Sequence, residues 1–470
     1  MSPRDRLAVG LMLFSTFVVI LNETTMGVAL PHLMADLDIV PSTAQWVTTS
    51  FMLTMAVVIP VTGFVIQRIT TRATFLTAMS LFSVGTLVCA VAPTFPLLLS
   101  GRVVQAAGTA IMLPLLMTTV MTVTPVATRG RTMGNISVVI SVAPALGPTI
   151  SGLVLSALPW RWIFVLMLPV ALGALVLGAV RMPNLTTPHH ARVDLLSVAL
   201  SAVGFGGIVY GLSHLGESAG DLVAAAAPIV VGAAALSLFV ARQRRLQLTD
   251  SALLDLRTFT SPTFSVAVVL MAISMMSLFG TIILLPLYAQ NVLGLTPLQT
   301  GLLLLPGGLL MGLAAPSVGR TYDRHGPRVL LVPGTVVVSA AAWSFAALDA
   351  TSPAWQVLAG HVVLSGGLAL MFTPLFTAAL GSLTPRLYSH GSAMVGTVQQ
   401  VAGAAGTALF ITVLTAQSLR LADGGASEVA ATAGGVHAAF VVGAVITLVA
   451  IPAAFLLRVR PGVPGVAAGH

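Results

Sequence analysis

The chain has 470 residues, of which 57% are hydrophobic and 7% are charged, and its mean hydropathy is +1.01. A soluble domain has about 25% charged residues, so this composition excludes a soluble globular protein. The net charge of +8 comes from 21 basic residues, all of them Arg, against 13 acidic residues. The single cysteine, Cys89, excludes a disulfide within the chain.

Long apolar runs recur from one end of the chain to the other. Each run can cross a bilayer core of about 30 Å as a helix, and the runs do not alternate as barrel strands do. We therefore predict an all-α polytopic membrane protein whose short connections leave no room for a soluble domain. The predicted spans are 8–30, 44–66, 74–92, 95–122, 132–155, 161–181, 194–215, 222–241, 264–290, 298–318, 328–348, 355–380, 391–415 and 435–457.

The positions of the Arg residues predict how these spans are oriented. Of the 21 Arg residues, 18 fall on the side that holds both chain ends; Arg161 and Arg420 fall on the other side, and Arg102 lies within a span. The positive-inside rule places the Arg-rich side in the cytoplasm. We therefore predict a multi-pass protein of the cytoplasmic membrane with both termini in the cytoplasm. The basic charge then sets topology and needs no nucleic-acid partner.

Two charges lie well inside the predicted hydrocarbon layer. Glu23 is the only ionisable residue between Leu7 and Leu30, and Arg102 lies in the fourth span at a similar depth, roughly 10 Å from the same boundary. Because an intramembrane charge costs at least about 2.5–3.5 kcal/mol, it usually faces a cavity or a partner. One interpretation is a permanent ion pair between two helices. The other is that Glu23 gains and loses a proton, since burial disfavours its charged form and a nearby Arg favours it.

The fifth span is rich in helix-bending and small residues, among them Pro144, Gly147, Pro148 and Gly152. Pro kinks a helix and Gly allows close helix approach, although both are also common in ordinary membrane helices. We interpret this span as a bent, tightly packed helix between two halves of the protein that limits leakage.

Two parts of the chain resemble each other. The connection "GFVIQRITTR" from Gly63 recurs as "GRTYDRHGPR" from Gly319, 256 residues later, and "GRVVQAAGTAIM" from Gly101 recurs as "GHVVLSGGLALM" from Gly360, 259 residues later. His361 thereby duplicates the position of Arg102. Since the first pair of connections is eight spans apart, we predict a 6 + 2 + 6 arrangement. It comprises a six-helix bundle in residues 1–192, two inserted helices in 193–245 and a second bundle in 246–470. Internal duplication is typical of transporters, in which two bundles move about a midplane site.

These motifs resemble the major facilitator superfamily and, within it, the fourteen-span drug:proton antiporters of the multidrug efflux type. The resemblance covers essentially the whole chain and implies the major facilitator fold. It is carried by "LNETTMGVALP" (Leu21–Pro31), the connections from Gly63 and Gly319, Arg102 with Gln105 and Gly108, "APALGPTISG" (Ala143–Gly152) and "WRWIF" (Trp160–Phe164). Asn22 and Gln67 stand where many members have Asp, so the acid of the first helix has moved to Glu23.

The resemblance and the repeat imply three further groups of residues. Proton coupling is assigned to Glu23, Arg102 and His361. A free histidine titrates near neutral pH, although a lone His in a membrane is more often a hydrogen-bonded packing residue. Gating is assigned to Gln67, Arg68, Arg72, Asp323, Arg324 and Arg328. A substrate cavity between spans 1, 4, 9 and 12 is predicted to be lined by Asn22, Gln105, Met112, Met271, Met275, Met276, Phe279, Met371 and Phe372. Met and Phe suit varied apolar ligands, although each could instead face lipid or pack between helices.

The sequence thus predicts a proton-coupled antiporter that exports hydrophobic, cationic or neutral, drug-like compounds by alternating access. Its expected partners are the substrate, protons and the lipid bilayer, and it is expected to work as a monomer. The proton gradient serves as energy source without a cofactor, and no spacing suggests a metal site. Without a phosphate-binding glycine loop, neither an enzyme nor an ATP-driven pump is expected. A dedicated exporter of one endogenous metabolite, antibiotic or lipid is the alternative, and a non-transporting receptor or scaffold would leave Glu23 unexplained.

Overall fold

A computed structural model describes residues 1–185, 194–217 and 222–457. Within these residues the chain forms fourteen helices that are long and apolar enough to cross a membrane, as predicted, and no β-strand. The helices are α1 (Pro3–Leu37), α2 (Pro41–Arg68), α3 (Thr71–Val91), α4 (Phe95–Val123), α5 (Arg129–Leu155), α6 (Arg161–Arg181), α7 (Leu195–Glu217), α8 (Leu222–Leu246), α9 (Pro262–Asn291), α10 (Pro297–His325), α11 (Arg328–Ala346), α12 (Ala354–Gly381), α13 (Tyr388–Asp423) and α14 (Glu428–Leu456).

Several helices continue beyond the apolar spans that the sequence predicts. α1 begins at Pro3, behind a capping box in which Ser2 and Asp5 satisfy each other's backbone N–H groups, and it ends at Leu37 instead of residue 30. α13 likewise continues to Asp423 instead of residue 415. Hydropathy marks where a helix is apolar, whereas its caps and backbone hydrogen bonds decide where it ends.

Contacts among the first six helices recur eight helices later. α3 packs on α4 and α6, as α11 packs on α12 and α14. Arg72 at the start of α3 donates to the carbonyl of Ala179 near the end of α6. Arg328 at the start of α11 donates in the same way to the carbonyl of Phe455 near the end of α14. The predicted domain boundary at 192–193 lies outside the described residues.

Helices α7 and α8 pack on each other beside the line where α2 meets α13. α7 contacts both of those helices, and Ala56, Val209 and Ala404 form a small buried cluster at the junction. The buried side chain of Gln243, at the end of α8, accepts the N–H of Leu253 at 2.7 Å. The connection to α9 is thereby held against the end of the α7–α8 pair.

We name the side where α1 begins and α14 ends the terminal face, and the opposite side the distal face. Two long helix contacts, α5 with α10 and α2 with α13, join the first six helices to the last six. These contacts form the seam between the two halves. Gly134 of α5 lies so close to α10 that a Cβ there would be 2.5 Å from the carbonyl oxygen of Ala315.

Candidate transport site

Arg102, on α4, is one of the largest fully buried side chains, with 1% of its surface exposed. Its Nη1 donates to Oε1 of Gln105 at 2.7 Å and to Oδ1 of Asn22 at 3.3 Å. The guanidinium also lies 4.2 Å from the centroid of the Phe51 ring, an attractive cation–π arrangement. Gln105 donates in turn to Oγ1 of Thr86 at 2.7 Å. Neutral groups from α1 to α4 therefore hold the buried cation.

Glu23 follows Asn22 on α1 and is half-buried. Among the described residues, no hydrogen bond or ion pair holds its carboxylate, although Arg102 is close enough to attract it electrostatically. The permanent ion pair that was one interpretation of the sequence is therefore not formed. Successive residues of a helix point about 100° apart, so Asn22 faces the guanidinium and the acid beside it does not.

Helix α5 contacts α1 next to this acid. A Cβ at Gly147 would lie 2.1 Å from Oγ1 of Thr24, so a larger residue requires the helices or the Thr24 side chain to move. Pro144 and Pro148 lie inside α5, which remains a continuous helix. A Cβ at Gly152 would meet nothing within 4 Å. The close packing expected of this motif is thus present at Gly147 and absent at Gly152.

Two of the predicted gating residues join the halves near the terminal face. Gln67 at the end of α2 donates to Oγ of Ser389 on α13 at 2.8 Å. Asp323 at the end of α10 accepts the N–H groups of Gly130 at 2.7 Å and Arg131 at 2.8 Å. Since these donors belong to the first turn of α5, the helix dipole also favours the carboxylate.

For Arg72, Arg324 and Arg328, the described residues show no contact across the seam. Arg72 and Arg328 bond within their own halves, as noted above. The guanidinium of Arg68 lies 5.8 Å from the centroid of the Phe64 ring, and Arg324 is exposed.

Sequence reasoning missed three contacts across the seam. Nη2 of Arg129 donates to the hydroxyl of Tyr388 at 3.1 Å. Deeper in the protein, Oγ1 of Thr118 donates to Oγ of Ser392 at 3.1 Å, and Thr373 donates to Oγ of Ser137 at 2.8 Å. Arg129 could have been flagged as a charge directly before a predicted span, whereas isolated Ser and Thr residues carry no distinguishing signal.

His361 does not join the Arg102 network. It packs against α10, where a Cβ at Gly307 would lie 2.5 Å from Cδ2 of the imidazole. Its Nδ1 is buried and has no hydrogen-bond partner. Its role in proton coupling remains a prediction.

A cavity with room for about three water molecules lies at the seam between α2, α4, α12 and α13. It is lined by Met55, Ile59, Ala110, Leu113, Pro114, Met117, Phe376, Leu380, Ser392, Val395, Gly396, Gln399 and Gln400. The nine residues predicted to line a substrate cavity are absent from this wall. Asn22 and Gln105 hold Arg102 instead, and Met112, Met271 and Met371 are buried in helix packing. Hydropathy places a residue in a span but does not fix the rotation of the helix. A substrate role for these nine residues remains a prediction.

Comparison with known proteins agrees with this architecture. The family model described as Major Facilitator Superfamily matches residues 12–407. A lincomycin resistance protein, LmrB, of Listeria monocytogenes is 40% identical over 95% of this chain and 95% of its own length. A multidrug resistance protein B homolog of Mycobacterium tuberculosis is 32% identical over 88% of this chain and 78% of its own. The crystal structure of the human organic anion transporter MFSD10 superimposes with a TM-score of 0.66 at 15% identity, covering 97% of this chain and 100% of that one.

Proposed function

Because this chain belongs to the major facilitator superfamily, whose members are transporters and not enzymes, we propose that it is a proton-coupled antiporter that exports lipophilic, cationic or neutral antibiotics and similar compounds. One observation carries the proposal: within the described part of the chain the intramembrane carboxylate of Glu23 has no bonding partner, while a fully buried cation, Arg102, lies nearby. A structural ion pair would hold both charges permanently. A free acid beside a cation is suited to exchanging a proton.

The surroundings of Glu23 suggest how coupling works. Protonated Glu23 is neutral and tolerated in an apolar environment, whereas the ionised form is stabilised by the field of Arg102. Arg102 is anchored on α4 by Gln105 at 2.7 Å and bonds more weakly to Asn22 of α1 at 3.3 Å. A movement of α1 relative to α4 that breaks the bond to Asn22 changes the distance between the two charges. The proton is taken up from the side with the lower pH and released when the opposite side opens, as a substrate binds.

The contacts near the terminal face suggest which state the structure represents. Gln67, Asp323 and Arg129 bridge the halves there, and the Thr118–Ser392 hydrogen bond lies deeper on the same side. The Arg-rich sequence of that face assigns it to the cytoplasm under the positive-inside rule. We therefore infer a protein closed toward the cytoplasm, with both termini cytoplasmic, in which rocking of the halves breaks these bonds.

The names of the relatives support the substrate class. One is a lincomycin resistance protein and another a multidrug resistance protein homolog, so lincomycin and lipophilic cationic dyes are suitable first substrates. We propose that the protein works as a monomer in the cytoplasmic membrane and needs no cofactor. The repeated helix contacts, including those of Arg72 and Arg328, support a 6 + 2 + 6 division with two transport bundles.

The test compares the wild-type protein with Glu23→Gln in proteoliposomes that carry a proton gradient. We expect Glu23→Gln to abolish gradient-driven accumulation while keeping substrate exchange, since the amide has the shape of the acid but cannot carry the proton. Glu428→Gln, at the first position of α14, is the matched control and should transport normally. Undiminished uphill transport by Glu23→Gln would overturn the coupling proposal. If wild type moves neither lincomycin nor dye, the dedicated-exporter interpretation replaces drug export.

A further inference from the structure

Two consecutive carboxamides on α13, Gln399 and Gln400, line the cavity at the seam. Both side chains are half-buried, and among the described residues neither makes a hydrogen bond to another protein group. Lipid cannot supply a hydrogen-bond partner to a carboxamide inside a membrane protein. The two amides are therefore available to bond to a molecule that enters the cavity.

Gln399 and Gln400 lie where transporters usually bind their substrates. Gln399 lies eleven residues after Tyr388, the first residue of α13, which is roughly 16 Å along the helix and about half of a 30 Å bilayer core. The opposing wall comes from the first half of the chain, through Met55 on α2 and Met117 on α4. Transporter substrates bind near the midplane between two repeats, and this cavity meets both conditions.

The base of the cavity is part of the closed seam. Ser392 lines the cavity and accepts the hydrogen bond from Thr118 at 3.1 Å. A molecule held by Gln399 would therefore lie directly above a contact that must break when the terminal side opens. Binding there can be coupled to movement of the two halves.

The chemistry of the wall selects among substrates. None of its thirteen residues is charged; apart from Ser392, Gln399 and Gln400 the wall is apolar. Each carboxamide offers two donors and an acceptor, which complement hydroxyl, amide and carbonyl groups. The wall has no carboxylate to compensate a desolvated cation, and desolvating an unpaired charge is costly.

We propose that Gln399 and Gln400 recognise the uncharged, hydrogen-bonding part of an amphiphilic substrate, so that the transporter prefers neutral compounds with hydroxyl or amide groups over dications. This rests on the proposed export function and narrows its substrate class. The apolar part of the substrate packs against Met55, Met117 and Phe376, whose flexible or flat side chains adapt to varied shapes.

The test measures equilibrium binding to purified full-length protein, which requires no proton gradient. The probes are three fluorescent amphiphiles with the same tail and a hydroxyl-amide, a trimethylammonium or a bis-ammonium headgroup. Wild type should bind the neutral probe at least tenfold more tightly than the bis-ammonium probe. Gln399→Leu and Gln400→Leu should each weaken binding of the neutral probe at least fivefold and change binding of the trimethylammonium probe less than twofold.

Two further variants make the result specific. Gln417→Leu replaces a half-buried Gln of the same helix that does not line the cavity, and it should leave all three affinities unchanged. Gln400→Glu supplies the missing carboxylate and should strengthen binding of the bis-ammonium probe at least fivefold. Unchanged neutral-probe binding in folded Gln399→Leu and Gln400→Leu would refute the proposal. So would a wild-type protein that binds the dication as tightly as the neutral probe, or that binds no probe.

The outcome is separable from that of the coupling experiment. If wild type shows the headgroup preference but no gradient-driven transport, the proton-coupling proposal fails and the recognition role of Gln399 and Gln400 stands. If transport is proton-coupled but the headgroup preference is absent, only the recognition role of Gln399 and Gln400 fails.

Discussion

Replacing Gly147 by Ala tests the contact between α5 and α1 at the residue that follows Glu23. The added Cβ would lie 2.1 Å from Oγ1 and 2.9 Å from Cβ of Thr24, whereas ordinary contact begins at 3.4 Å. The helices must therefore separate locally by about 1 Å, or Thr24 must change rotamer. A new rotamer would break the bond from its hydroxyl to the carbonyl of Leu21, which is 3.0 Å long.

The magnitude follows from two opposing effects. Overpacking a well-packed site costs roughly 1–3 kcal/mol, while Gly to Ala inside a helix gains about 1 kcal/mol. Gly152→Ala, five residues along α5, receives the same gain without a clash, because its Cβ meets nothing within 4 Å. The difference between the two variants is therefore roughly 1–3 kcal/mol, and Gly147→Ala should be the less stable.

The assay is the apparent unfolding temperature of purified protein at one fixed heating rate, together with gradient-driven transport in proteoliposomes. We expect Gly147→Ala to unfold a few degrees below Gly152→Ala and to lose most proton-coupled transport, because displacement of α1 moves Glu23 relative to Arg102. Thr24→Ala removes the nearest atom and should partly restore both properties in the double variant. If Gly147→Ala and Gly152→Ala are equally stable and active, the inferred close contact does not constrain α1.

Two further predictions concern acids near the terminal face. Asp323→Asn should destabilise the state closed at the terminal face by about 1–2 kcal/mol, because it removes a charged acceptor from two N–H groups. A cysteine introduced at Leu113, which lines the cavity, should then react roughly tenfold faster with an impermeant thiol reagent applied from that face. Asp194→Asn should lower the unfolding temperature, because the Arg242 guanidinium holds the pKa of Asp194 at about 2, below its usual 3.8. This carboxylate stabilises the fold above about pH 4, by at most about 2 kcal/mol before solvent screening, and the contribution is lost as the pH falls toward 2.

Each of these predictions has its own control. For Asp323, the thiol reaction should be unchanged in Arg324→Gln, since Arg324 is exposed; equal reaction rates in wild type and Asp323→Asn would show that this contact does not hold the face closed. For Asp194, the control is Asp38→Asn, an exposed residue with positive φ that Asn readily adopts. A stability difference between wild type and Asp194→Asn that persists unchanged at pH 2 would contradict the ion-pair explanation.

Much of the fold could be predicted from the sequence, because its determinants are local. A run of apolar residues forms a membrane helix wherever it occurs, so all fourteen helices match predicted spans, although α1 and α13 extend further than hydropathy indicates. Short motifs predict a duplication, and the contacts of α3 with α4 and α6 recur in α11 with α12 and α14. The same motifs predict gating roles for Gln67 and Asp323. Both residues bridge the halves, and their gating roles remain predictions.

The sequence by itself predicted an all-α membrane protein with fourteen spans, which match the fourteen long apolar helices of the described residues, and it predicted Glu23 and Arg102 at a similar depth. Only the tertiary structure decided that Asn22, and not Glu23, contacts Arg102, and that Gln399 and Gln400 face the cavity instead of the predicted Met and Phe residues. The physical reason is rotational. Hydropathy fixes how deep a residue lies, but neighbours on a helix point about 100° apart, and their partners depend on helices that are distant in the chain.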